Sequence, residues 1–101
     1  MDLESFSESS KAPAPPPGLS LALEALWYEA KGEWDRAHRL AQKEDNEDGA
    51  WVHAYLHRVE GDSANAAFWY RRAQRPVAEV PTQEEWAEIA EALLAKVTRD
   101  S

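Results

Sequence analysis

The chain has 101 residues, of which 44% are hydrophobic, and a net charge of −8 from 19 acidic against 11 basic side chains. That length allows one small domain, and the negative balance opposes non-specific attraction to nucleic-acid phosphates or anionic lipid, so neither partner is expected. Cysteine is absent, which excludes disulfide staples, thiolate metal sites and a cysteine nucleophile; with no apolar run of membrane-span length and an acidic, serine-rich start in place of a secretory signal, a cytoplasmic protein is expected.

Residues 1–18 combine serines, acids and the run Ala12-Pro13-Ala14-Pro15-Pro16-Pro17. Such a segment buries too little apolar surface to offset the entropy of ordering it, so it is expected to be a disordered tail. Its proline run favours an extended polyproline conformation, either a spacer or a docking motif for a proline-recognising domain. From Leu19 the pattern turns helical, with Leu19, Leu23, Leu26 and Ala30 at three- and four-residue steps before Gly32. A second helix follows to about Lys43, with Glu33 and Asp35 in its first turn, where the macrodipole favours acids, and with Trp34, Ala37, Leu40 and Ala41 inward. The run Glu44 to Gly49 has no apolar residue and reads as a solvated loop.

A third helix is predicted over roughly Ala50 to Glu60, with Val52, Leu56 and Val59 on one stripe and Trp51 and Tyr55 beside it. Gly61 ends it, and Asp62 is placed to cap a fourth helix that carries Ala66, Phe68, Trp69, Tyr70 and Ala73 before Pro76. Gln74 to Pro81 is a linker. Thr82-Gln83-Glu84-Glu85 matches a capping box that opens a fifth helix through about Val97. Trp86, Ile89, Ala90, Leu93 and Leu94 form its inward stripe, and Glu84, Glu88 and Glu91 its acidic outer face. Five tryptophans supply much of the apolar area that a short chain otherwise lacks.

Gly32-Glu33-Trp34-Asp35-Arg36-Ala37 and Gly61-Asp62-Ser63-Ala64-Asn65-Ala66 begin alike and are offset by 29 residues. Ala54, Gly61, Ala66, Tyr70 and Ala73 make the second unit resemble the tetratricopeptide repeat, in which small residues let paired helices approach around a glycine turn. The first unit matches through Ala25, Tyr28, Gly32 and Ala37 but has Ala41 and Glu44 at the later aromatic and alanine positions. Trp86, Ile89, Ala90 and Leu93 match a family first helix. The resemblance spans residues 19 to 97, and its offset is shorter than the family's repeat of about 34 residues. It implies an all-α fold over residues 19–98: two helical hairpins and a C-terminal capping helix in a right-handed stack of about five helices. The string from His53 to Arg72 also resembles a group of small uncharacterised bacterial and fungal proteins, which implies no activity.

The resemblance further implies a concave groove lined by the first, third and fifth predicted helices, which would gather Glu24, Tyr28, His53, His57 and Arg58 to hold a peptide or protein partner. The alternative for these polar side chains is a buried hydrogen-bonded network that fixes helix packing. His53 and His57, four residues apart, share a helix face and are the candidates with Glu24 for a metal, Glu60 and His38 being other possible ligands. The zinc-protease pattern fails because Ala54 stands where its glutamate belongs, and no metal or cofactor is assigned. Arg58, Arg71, Arg72 and Arg75 form a basic patch that suits carboxylate, phosphate or the acidic face of a second copy, unless Asp62, Glu60 and Glu79 pair with them. No phosphate loop or nucleophile motif is present, which leaves Glu24 with His57 as the one acid–base pair an enzyme reading has. An interaction module is therefore expected, with a small-ligand or metal-binding protein, catalytic or not, as the alternative and a homodimer as one candidate assembly.

Overall fold

The computed structural model describes the backbone of residues 1–100 and the side chains of residues 1–97. Among these the protein is all-helical: α1 (Leu3–Ser9), α2 (Leu21–Ala30), α3 (Trp34–Lys43), α4 (Glu47–Glu60), α5 (Ser63–Arg72) and α6 (Thr82–Asp100). The five predicted helices form, and α1 makes six where about five were expected.

Local chemistry explains most boundaries. Ser20 caps α2 by accepting from the Leu23 amide, and Asp62 caps α5 by accepting from the Asn65 amide, as its position after Gly61 predicted. Gly61 takes φ +92°, the left-handed conformation that closes α4 and turns the chain into α5. Helix α4 starts earlier than expected, because Asn46 caps it through the Gly49 amide at 2.8 Å and Glu47 and Asp48 sit in its first turn. The acidic run read as a loop is thus in part a helix start. Gly49 is required there, since a Cβ at this position would lie 1.9 Å from the Glu44 carbonyl oxygen.

In the segment expected to be a disordered tail the structure places a helix. Asp2 accepts from the Ser5 amide and starts α1, whose Phe6 is fully buried and stacks on Trp86 with ring centroids 5.6 Å apart. Trp27 Nε1 donates to Ser9 Oγ at 3.2 Å, and Lys31 Nζ donates to the carbonyls of Ser10 and Ala12. One large aromatic and three tertiary hydrogen bonds supply what composition alone did not reveal.

Helix α4 occupies the centre, packed against α2, α3, α5 and α6. Every residue from Gly49 to His57 is buried, so its polar side chains face other helices instead of solvent. Buried alanines, Ala37 and Ala41 on α3, Ala54 on α4 and Ala66 on α5, mark where helices approach closely. Val59, placed on the inner stripe by periodicity, is 39% exposed because the helix emerges from its neighbours there. In α6, Ile89, Ala90, Leu93 and Leu94 are buried and Glu84, Glu88 and Glu91 exposed, as the stripe predicted.

Candidate functional site

One flank of α4 carries His53 and His57, and the α3 face opposite carries His38. All three of the chain's histidines meet here. The ring centroids are 4.6 Å apart for His38 and His53, 5.1 Å for His38 and His57, and 4.8 Å for His53 and His57. Nε2 of His38 and Nε2 of His53 lie 2.9 Å apart, a hydrogen bond in which one ring donates and the other accepts. Two indoles wall the cluster: Trp34 stacks on His38 at 4.9 Å and Trp69 on His53 at 3.8 Å. Trp34 is itself fixed, since its Nε1 donates to the Leu56 carbonyl at 2.8 Å. His57 Nδ1 contacts Glu60 Oε2 at 2.5 Å, so its remaining ring nitrogen is Nε2.

Burial sets the charge of the cluster. His53 is pushed down to about 4 by burial and then by His38 and His57, and His38 is lowered by burial and then by His57. Both are neutral at pH 7, with a lone pair on one nitrogen of each ring. A cleft of about 270 Å³ reaches His53 from solvent, lined also by Trp69, Arg72, Asn46 and Glu47.

A second polar network lies on the α6 side of α4. Arg58 Nη1 donates to Glu85 Oε1 at 2.8 Å, its other terminal nitrogen donates to the Val80 carbonyl, and Tyr70 Oη donates to Glu85 Oε2 at 2.5 Å. Glu85 is 1% exposed. Its carboxylate is held by this arginine and tyrosine, so the capping box predicted from Thr82 to Glu85 is not how it is used; the Pro81 carbonyl accepts the amides of Glu84 and Glu85 instead. The Tyr70 hydroxyl is raised by burial and by its bond to Glu85. Tyr55, also raised, first by burial, donates to Glu29 Oε1 at 3.2 Å.

The five residues expected to line one groove therefore part company. His53 and His57 face α3 and α5, Arg58 faces α6, and Tyr28 lies under the guanidinium of Arg36 with 4.4 Å to its ring centre. Glu24 in α2 does not join the histidines, and the carboxylate on His57 is Glu60. His38 takes the place given to Glu24. The signal for it was present, since Trp34 and His38 are four residues apart and share a face of α3.

The basic patch loses Arg58 to Glu85 and keeps Arg71, Arg72 and Arg75, all exposed. None of these three forms an ion pair with a described carboxylate, including Asp62, Glu60 and Glu79. Arg72 lies over Trp69 at 5.4 Å and Phe68 at 5.8 Å, and Arg75 over Trp51 at 3.4 Å. Phe68 is 45% exposed. Comparison with known proteins gives no match to a family model, to a curated protein or to a solved structure.

Proposed function

We infer that the protein is an interaction module, a tetratricopeptide-like pair of hairpins whose partner-facing surface is the last turn of α5 with the turn after it, and that it holds an acidic segment of a protein partner. The observation that carries this reading is the set Arg71, Arg72 and Arg75, which has no ion pair among the described residues, on a chain with 19 acids. Two of these guanidiniums rest on aromatic faces, which orders the side chains and leaves their N–H edges for carboxylates. Exposed Phe68 beside them supplies an apolar anchor of the kind that dominates binding energy. The negative charge elsewhere repels an acidic segment, so its approach is steered to this ridge. The hairpin reading is supported by the glycine turns at Gly32 and Gly61, both at positive φ, and by the buried alanines between paired helices.

The test is a titration with a fluorescently labelled Asp/Glu-rich peptide carrying one leucine, against its lysine counterpart. The acidic peptide is expected to bind, and Arg72→Ala/Arg75→Ala to weaken it about tenfold, the sum of two partly exposed charge contacts. Equal binding of both peptides, or of wild type and variant, would remove the reading.

A further inference from the structure

The three histidines satisfy conditions that packing alone does not demand. They come from two helices, and one ligand atom from each lies within 4.8 Å of the others. Tetrahedral coordination with metal–nitrogen bonds of 2.0–2.1 Å sets ligand nitrogens roughly 3.3 Å apart, so the His38–His53 nitrogen pair at 2.9 Å is already near that spacing. The stacked indoles of Trp34 and Trp69 hold two of the rings in place. Glu60 on His57 Nδ1 is the carboxylate–histidine arrangement that fixes the orientation of a ligand ring.

We propose that His38, His53 and His57 form a mononuclear site for a divalent transition-metal ion of the zinc, cobalt, nickel or copper class, with Glu60 as the positioning residue for His57. Three imidazoles and no carboxylate in the donor set select these ions over magnesium or calcium, which require oxygen ligands. The cleft at His53 is the entry path, and three protein nitrogens leave a fourth position for water or another small ligand. The ion would tie α3 to α4; Arg72 of the proposed peptide ridge borders the entry cleft but is not one of its ligands.

The experiment adds Co²⁺ to the full chain and reads visible d–d absorption, with ¹⁵N histidine NMR during Zn²⁺ addition. One ion per chain, intense tetrahedral bands, displacement by Zn²⁺ and none by Mg²⁺ are expected. His38→Gln lies at a half-buried position and keeps a hydrogen-bonding group towards His53; it should abolish the bands while far-UV circular dichroism stays unchanged. Glu60→Gln, at an exposed position, should weaken Co²⁺ affinity by about 10–100-fold. Absence of bands and of imidazole shifts would overturn the site, and so would Co²⁺ binding that His38→Gln leaves intact. Peptide binding at the ridge should be the same in wild type and His38→Gln, so the two readings fail separately.

Discussion

At His53 three neighbours decide the protonation of one ring: Trp69 on its face, His38 at Nε2 and His57 one turn along. Arg72 lines the same cleft from α5, Glu44 and Asp45 line it from the α3–α4 connection, and Glu47 from the first turn of α4. The folded value of about 4 lies below the ordinary 6.5, so the folded state binds fewer protons than the unfolded chain. The resulting stability is complete above pH 6.5 and is lost as pH falls towards 4. Between pH 6.5 and 5 the loss should be about 1.5 kcal/mol, read from urea midpoints without added metal; a flat profile would contradict the buried placement of the ring. On the other flank, Arg58→Ala leaves Glu85 buried with Tyr70 as its one side-chain partner among the described residues and should cost about 3 kcal/mol by chemical denaturation. A loss below 1 kcal/mol would mean that water reaches Glu85. Sequence could pair His53 with His57 through helical spacing, but His38 joins them only through the way α3 packs on α4. Glu85 misled for a related reason: a glutamate three residues into a helix matches a capping box, and only Arg58, 27 residues earlier in the chain, shows otherwise.

The helices themselves were legible because their ends are written locally. Gly61 with Asp62, and Pro81 before Thr82, act within a turn of where they stand, and the Ile89, Ala90, Leu93 and Leu94 stripe needs only a 3.6-residue period. Two elements escaped that logic. The start of α4 was hidden by acids that serve equally in a loop and in a first turn, and α1 by a composition in which Phe6 is the one large aromatic among serines and acids. Gly49 tests the first of these. Its missing Cβ lets the Glu44 carbonyl pass at a distance no side chain tolerates, so Gly49→Ala must displace the α3–α4 connection. The gain of helix propensity from alanine, about 1 kcal/mol, should be outweighed, and the variant should be destabilised by about 1–3 kcal/mol. Thermal melting measures this, and a stabilised variant would show that the connection is not held against α4.

Across the whole molecule, protection should grade outward from α4. This helix touches four others and is buried from Gly49 to His57, so its amides can exchange only when the domain as a whole opens. Helix α1 stands at the other extreme. Seven residues are too few to be helical alone, and it is held through Phe6 on Trp86, the Ser9 contact to Trp27 and the Lys31 bonds just beyond it. Burial of one phenylalanine contributes about 1.5–3 kcal/mol, which offsets only part of the entropy of ordering the segment. Opening of α1 is therefore local and precedes global unfolding. Native-state hydrogen exchange should find the Leu3–Ser9 amides exchanging with an opening free energy at least about 2 kcal/mol below that of α4. Phe6→Ala should remove the remaining protection of α1 first, because the side chain it deletes is the helix's one fully buried anchor. If α1 and α4 exchange together in wild type, Phe6 belongs to the same cooperative unit as the central helix, and the variant should then lower the protection of both by the same amount.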